Sequence, residues 1–376
     1  MSTRVRSYSK INLGLAIGPV RTDGFHELTT LYQTLDLHDL VTVSARAAQT
    51  TRIVLTTSHP RVPVDARNTA WRMVEQCLAR LGVTAEVEIH IEKNLPIQGG
   101  LGAGSANAAA ALLGLERELD VALPGAERLR LAGEIGSDVP LFLLGGAVLG
   151  LGRGELVVPI PDLPQAYCVV AVPSVGVSTP QAFRDWDARV QGAGIGEQGA
   201  GTGAGLTGGA NFDRLTELSF AYASLSAPSG TSLRGKTSGS KSGTSGIVRD
   251  RIPDRPEKQR DGSRTAMNDL AEKTLLALVR TGIGNGDLQN DFEEVVFPQY
   301  PSLRITKRQL MGNDSGDSEN SALYAALSGS GSALFGLYRS EADAQAAQQR
   351  VQASGVKAFV TETLPREQYW ARMFAG

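Results

Sequence analysis

The chain has 376 residues, a formal net charge of −2 and 41% hydrophobic residues. That length suffices for a large core and for two lobes, and the near-neutral charge excludes the broad basic face that nucleic acid or an anionic membrane requires. The longest apolar run, residues 139–151, is too short to span a bilayer and is broken by glycines.

Residues 1–10 hold no apolar stretch of a secretory signal. Residues 5–15 read as a strand closing at Gly18-Pro19, with Lys10 and Asn12 inside Ser9-Lys10-Ile11-Asn12-Leu13. A lysine among β-formers is ordinarily a solvated edge position; in a cleft it would be a cation for chemistry. The turn from Arg21 to Leu28 sets Phe25 beside His26, a histidine that a hydrogen-bonded turn would also explain. Residues 35–43 and 53–57 alternate as strands. Asn68 is placed to cap a helix running to about Arg80, with Trp71, Val74 and Leu78 on one face.

Residues 85–91 alternate as a strand and lead into Pro96-Ile97-Gln98-Gly99-Gly100-Leu101-Gly102-Ala103-Gly104-Ser105-Ala106-Asn107, after which residues 108–113 read as helix. Glycines there permit positive φ and let a ligand approach the backbone. Where such a loop opens a helix, free N–H groups and the positive dipole end suit phosphate. A tight strand-to-helix turn would have the same composition. Neither common phosphate template fits. No Lys-Ser or Lys-Thr follows the glycines, and Gly102-Ala103-Gly104-Ser105-Ala106-Asn107 lacks the third glycine of a dinucleotide fingerprint.

Residues 126–132 form a further predicted helix, ending at Gly133. Asp138 follows between Gly136-Ser137 and Val139-Pro140-Leu141-Phe142, placed either to cap the next short helix or to aim a carboxylate into a cleft. Residues 146–151 and 155–160 read as a hairpin closing a first lobe, and residues 167–172 as a buried strand opening a second. Thr179-Pro180 starts a short helix that includes Phe183. The two cysteines, Cys77 and Cys168, lie in separate apolar runs, where buried thiols are expected rather than a disulfide or a metal pair. A cytoplasmic location follows.

Roughly residues 188–262 are rich in Gly, Ala, Ser and Thr and are expected to be a disordered, low-complexity insert, with one marginal helix over 212–223 and a charged linker over 249–264. Order is expected to resume with a helix over 266–280, then the segment Gln289 to Val295 and a helix over 300–311. A polar loop (312–321) precedes strands over 323–327 and 333–338, which flank Ser328-Gly329-Ser330-Gly331-Ser332. That turn is a plain hairpin or a wall of the same cleft. A helix over 342–353 and a strand over 357–364 complete an alternation that describes a ferredoxin-like lobe.

The spacing Pro96-x-x-x-Gly100-Leu101-Gly102-x-Gly104-Ser105 resembles the phosphate loop of the GHMP kinases, the superfamily of galactokinase and of homoserine, mevalonate and phosphomevalonate kinases. The same chain carries Ser9 to Leu13, Asp23 to Leu28, Gly136 to Pro140, Val177 to Phe183, Asn290 to Glu293 and Leu327 to Ser332. Together these closely resemble the branch of that superfamily serving non-mevalonate isoprenoid synthesis, over about residues 4–186 and 265–365. Lys10 with Asp138, and Gly24-Phe25-His26-Glu27, are the specific parts; the glycine loop points only to the superfamily.

The resemblance implies an α+β, two-lobed GHMP kinase fold with the active-site cleft between its lobes. Residues 1–162 would form a ribosomal-protein-S5-like ATP-binding lobe, and residues 163–376 a ferredoxin-like lobe carrying the insert. It implies phosphoryl transfer from ATP, with Mg²⁺ brought by the nucleotide, to the tertiary 2-hydroxyl of a cytidyl-methylerythritol substrate. By match to the family, Asp138 would accept the hydroxyl proton, while Lys10 would hold that aspartate and offset charge near the transferred phosphate. Pro96, Ile97, Gln98, Gly99, Gly100, Leu101, Gly102, Ala103, Gly104, Ser105 and Ala106 would hold ATP, with Asn68 and Lys93 lining its pocket. His26 would read the cytosine edge, Phe25 and Phe183 would stack on the base, Thr179 would lie near the substrate and Asn12 would touch its polar chain.

Gln98, Ala103 and Ala106 stand where the family often has Gly, Gly and Ser, which leaves ATP affinity open, and Phe25 stands where tyrosine is common. No dedicated metal cluster is visible. Small molecules are the expected partners, not nucleic acid or membrane, with monomer and homodimer both open. Two other readings compete. A GHMP kinase for homoserine, mevalonate or a sugar would leave Phe25 and His26 without a role. A nucleotide-binding regulatory protein that had lost catalysis would have no need of both Lys10 and Asp138.

Overall fold

The structure, a computed structural model, describes residues 2–97, 99–196, 289–312 and 321–375. Gln98, most of the 312–321 loop, the bulk of the expected insert with its 212–223 helix and 249–264 linker, and the 266–280 helix lie outside the described residues.

The first lobe opens with two long strands, β1 (Thr3–Val20) and β2 (His26–Ala47), followed by β3 (Arg52–Thr57), α1 (Thr69–Leu81), β4 (Ala85–Glu92), α2 (Ala103–Leu119) and α3 (Gly125–Ile135). A short 3₁₀ turn over Pro140–Leu143 leads to the hairpin β5 (Ala147–Leu151) and β6 (Leu156–Pro159). The second lobe holds β7 (Tyr167–Val172), α4 (Thr179–Gly196), α5 (Phe292–Gln299), α6 (Pro301–Met311), β8 (Tyr324–Leu327), β9 (Leu334–Tyr338), α7 (Glu341–Gln352) and β10 (Lys357–Glu362). The chain then forms α8 (Arg366–Arg372) and β11 (Phe374–Ala375).

Two sheets result, and the whole is an α+β fold. The first runs β11-β1-β2-β4-β3, with β5 and β6 branching from β2; only β3 and β4 pair in parallel within it. The second is antiparallel, in the order β10-β7-β9-β8. In β4, Ala85, Val87, Ile89 and Ile91 alternate inward, as the period-two pattern predicts. Asn68 caps α1 as expected, its side chain accepting from the Ala70 amide at 2.9 Å. Residues Ala106 to Glu116 of α2 are buried on every side, and their small side chains let the helix lie close to the sheet. A Cβ on Gly114 would come within 2.7 Å of Val43. A third apolar cluster, including Ile11, Leu13, Leu31, Val170 and Phe335, joins the two sheets.

Several elements depart from the sequence-based expectation: α2 begins at Ala103, not 108, and β2 spans His26–Ala47, not 35–43. Helix α3 passes through Gly133 and ends at Gly136. A glycine costs a helix about 1 kcal/mol, which burial of Leu131, Ala132 and Ile135 outweighs. Helix α4 continues through the expected insert start at 188, anchored by Ala182, Phe183 and Trp186 in the second lobe's core. Finally, α8 and β11 carry the chain back to the first sheet, where β11 pairs Phe374 with Val5.

Candidate active site

The two strands that open the chain place the first functional side chains. Lys10 and Asn12 lie two residues apart on β1 and so share a face of the sheet. Lys10 is 2% exposed, its stem lying where Gly102 leaves room: a Cβ there would meet Lys10 Cγ at 3.0 Å. The ammonium Nζ donates to Asn12 Oδ1 at 2.7 Å and lies 3.2 Å from Asp138 Oδ2. Asn12 Nδ2 donates to Thr30 Oγ1 (2.7 Å), whose hydroxyl donates to the Gly14 carbonyl (2.9 Å). Both polar ends of Asn12 are thereby engaged, and its amide orientation follows from these partners.

Asp138 resolves the alternative left open by the sequence. The 3₁₀ turn after it takes no side-chain cap, and the carboxylate faces Lys10 and Tyr32 instead. The Tyr32 hydroxyl, on β2, donates to Asp138 Oδ1 at 2.9 Å. Burial, reinforced by the nearby carboxylate, holds that hydroxyl well above its ordinary titration range, so it is a proton donor at neutral pH.

Beside this pair the glycine loop is held from three directions. The Lys10 amide donates to the Leu101 carbonyl, the Ser328 hydroxyl to the Gly100 carbonyl, and the Ala333 amide to the Gly99 carbonyl. Gly100, at φ +81°, packs so tightly on the turn between β8 and β9 that a Cβ would lie 1.9 Å from the Ser328 carbonyl oxygen. The Ser328–Ser332 turn is therefore a wall of the cleft, not a free hairpin. The segment Asn290 to Glu293 holds it there: Asn290 Nδ2 donates to the Leu327 and Gly329 carbonyls, Asp291 Oδ2 accepts from the Ile17 amide, and Glu293 Oε1 from the Leu327 amide.

Two cavities meet at this loop. One, of about 390 Å³, is lined by Asn68, Lys93, Pro96, Ile97 and Gly99 to Ser105. At its floor α2 begins with Gly102 as N-cap and no capping side chain, unlike α1 and α7, whose Asn68 and Ser340 accept from first-turn amides. An uncapped helix start lining a cavity is a ready anion site. Ala106, expected to hold ATP, is buried among the apolar side chains of the first lobe and does not line the cavity. Lys93 does line it, but its ammonium is committed to buried Asp39. Asn68 is committed likewise, to the cap and, through Nδ2, to the Pro63 carbonyl. Arg61 and Arg67 also line this cavity; they lie in a loop whose sequence has no periodic or motif signal.

The second cavity, of about 510 Å³, gathers Lys10, Asn12, Phe25, His26, Asp138, Thr179 and Phe183, and shares Gly100 with the first. His26 stacks on Phe183, with centroids 5.0 Å apart and planes 8° from parallel. Its Nδ1 faces the Gly18 carbonyl at 3.0 Å and its Nε2 lies 3.1 Å from Asp187. Thr179 shares a hydrogen bond with Ser330 (2.6 Å). Tyr32, Arg153 and Asp187, which also line this cavity, were not legible in the sequence. Arg153 sits 4.9 Å over the Phe25 ring, on a hairpin turn that comes near only once β5 pairs with β2. Among the described residues no group of three or more His, Cys, Asp or Glu could hold a metal ion, and no helix is long and apolar enough to cross a membrane.

Comparison with known proteins follows the same outline. The family model "GHMP kinases N terminal domain" matches residues 68–146, and "GHMP kinases C terminal" matches residues 267–357. A 4-diphosphocytidyl-2-C-methyl-D-erythritol kinase of Solibacter usitatus is 32% identical over 335 residues, covering 89% of this chain and 81% of that protein. One of Gloeobacter violaceus is 34% identical over 346 residues, covering 92% and 88%. One of Rhodococcus jostii is 42% identical over 184 residues, which span 49% of this chain and 58% of that relative. Among solved structures, a 4-(cytidine 5'-diphospho)-2C-methyl-D-erythritol kinase superposes with TM-score 0.60 at 23% identity, covering 96% of this chain and 99% of that one. A homoserine kinase of Cytophaga hutchinsonii gives 0.56 at 19%, covering 97% and 95%. At those identities the structural likeness speaks to fold alone. On the two full-length relatives and both domain matches, this chain belongs to the 4-diphosphocytidyl-2-C-methyl-D-erythritol kinase family of the GHMP kinases.

Proposed function

We propose that this protein transfers the terminal phosphoryl group of ATP to the 2-hydroxyl of 4-diphosphocytidyl-2-C-methyl-D-erythritol. The observation that carries the reading is the Lys10–Asp138 pair, 3.2 Å apart, in the alcohol-side cavity whose Gly100 backbone also lines the anion-side cavity. Phosphoryl transfer needs acceptor and donor in line, with little covalent chemistry from the protein.

The chain's own groups supply that arrangement. Uncapped amides at the start of α2 hold the polyphosphate. Asp138 accepts the proton of the attacking hydroxyl, and Lys10 keeps the carboxylate oriented while offsetting negative charge between hydroxyl and phosphate. The Asn12–Thr30 relay fixes Lys10 in turn. His26 and Phe183 recognise the cytosine, and the Arg153 guanidinium over Phe25 meets the diphosphate of the same substrate. Mg²⁺ enters with the nucleotide and would neutralise charge across its phosphates; the uncapped helix start and the Ser105 hydroxyl beside it suit a metal–nucleotide complex. Two buried free thiols fit a reducing, cytoplasmic setting.

The test is turnover of ATP with the cytidyl substrate, homoserine and mevalonate side by side. The cytidyl substrate alone is expected to be phosphorylated. Asp138→Asn should abolish that activity, and Lys10→Met should cost nearly as much, with both variants melting near the parent. Near-parental turnover by Asp138→Asn would remove the assigned base.

A further inference from the structure

We propose that Tyr32 is a positioning residue for this reaction, a hydroxyl that holds the Asp138 carboxylate in the orientation from which it takes the substrate proton. The inference rests on the reading of Asp138 as the base. Asp138 follows Gly136 in a connection between α3 and the 3₁₀ turn, and its side chain is 30% exposed, so no strand or helix fixes it. Its two oxygens are instead held from opposite partners, Oδ2 by Lys10 and Oδ1 by the Tyr32 hydroxyl at 2.9 Å.

Tyr32 is well suited to that task. It is 2% exposed, and its backbone is paired on both sides, with Asn12 of β1 and Val148 of β5. The neighbouring backbone leaves room for its ring. A Cβ on Gly150 would lie 2.5 Å from the Tyr32 ring, and one on Gly154 would lie 2.5 Å from its hydroxyl oxygen. Lys10 Nζ sits 5.4 Å from the ring centroid, so one aromatic side chain supports both members of the pair. A space-filling role would need only the ring. The hydrogen bond to Oδ1 needs the oxygen.

Tyr32→Phe separates the two roles, because it keeps the ring and removes the donor. The hydrogen bond fixes one carboxylate oxygen, so its loss frees Asp138 to turn away from the substrate hydroxyl. The groups that touch the Asp138 carboxylate are Lys10 on β1 and Tyr32 on β2, and the variant leaves Lys10 in place. We expect kcat to fall about tenfold. KM for ATP and for the cytidyl substrate should stay within about twofold. A change confined to KM, or parental kinetics, would overturn the inference. If Asp138→Asn were itself near-parental, the reading beneath it would fall. If Asp138→Asn is inactive and Tyr32→Phe is unchanged, only the positioning role is lost.

Discussion

Lys10 illustrates why the proposed catalytic residues look ordinary one at a time. In the sequence it is a lysine in a strand; in the fold it is 2% exposed, with Asn12 and Asp138 as its partners. Asn12, expected to touch the substrate, has both polar ends engaged within the protein, so Asn12→Leu should lower kcat about tenfold more than it raises KM for the cytidyl substrate. Steady-state kinetics check this, and a KM effect alone would return Asn12 to a substrate contact. On the proposed reading, in which the His26–Phe183 stack opens to take the cytosine, His26→Ala should raise KM for the cytidyl substrate tenfold or more while KM for ATP stays within about twofold. Equal effects on both would contradict a base-reading role. Tyr32 had no signal in the sequence: it lies before the predicted strand at 35–43, and only the fold brings its hydroxyl to a carboxylate.

At the scale of elements, α1 and β4 were legible because what makes them is local. A cap three side chains from an apolar face and a period-two alternation need no distant partner. The sequence pattern starts α2 at 108, five residues late, because the glycines at 102 and 104 read as loop; the uncapped state of the helix gives a prediction with opposed signs. Ser105→Asp places a carboxylate in the first turn, where the helix dipole favours it by about 0.3–1 kcal/mol. The same charge repels the phosphates of ATP. Thermal melting should therefore be unchanged or slightly raised while KM for ATP rises tenfold or more; an unchanged KM would separate the phosphate site from this helix. The end of α3 was misplaced because a buried face, not the glycine at 133, decides where that helix stops.

The two sheets share one apolar layer, and the chain's last described elements fasten the first sheet from behind. Tyr369, 2% exposed, donates from its hydroxyl to the Phe142 carbonyl at 2.5 Å, and Phe142 packs beneath Gly102 of the phosphate loop. Tyr369→Ala should destabilise the protein by about 3–5 kcal/mol, read by denaturant unfolding, through loss of a buried ring and its hydrogen bond. Alkaline stability follows from burial in the same core. Burial pushes the Cys77 thiol from 9.0 up to about 12, and the Tyr8 hydroxyl from 10.0 up to about 12. Both groups hold their protons more tightly folded than unfolded, so their contribution is complete below about pH 9 and is lost as pH rises toward 12. Unfolding free energy measured at pH 8, 10 and 11 should decline in that order; a flat profile would contradict the buried placement.

What the sequence by itself determined was much of what neighbours along the chain decide: strands by alternation, and helices by caps and faces. The family resemblance joined Lys10 to Asp138 without saying how they meet. Tertiary structure alone decided that meeting. The register of β1 on β2 sets Lys10, Asn12 and Tyr32 on one surface, and the hairpin and the Ser328–Ser332 turn close over it. Such contacts depend on strand pairing and on core packing that, for Lys10 with Asp138, spans more than a hundred positions, and no local period or composition encodes them.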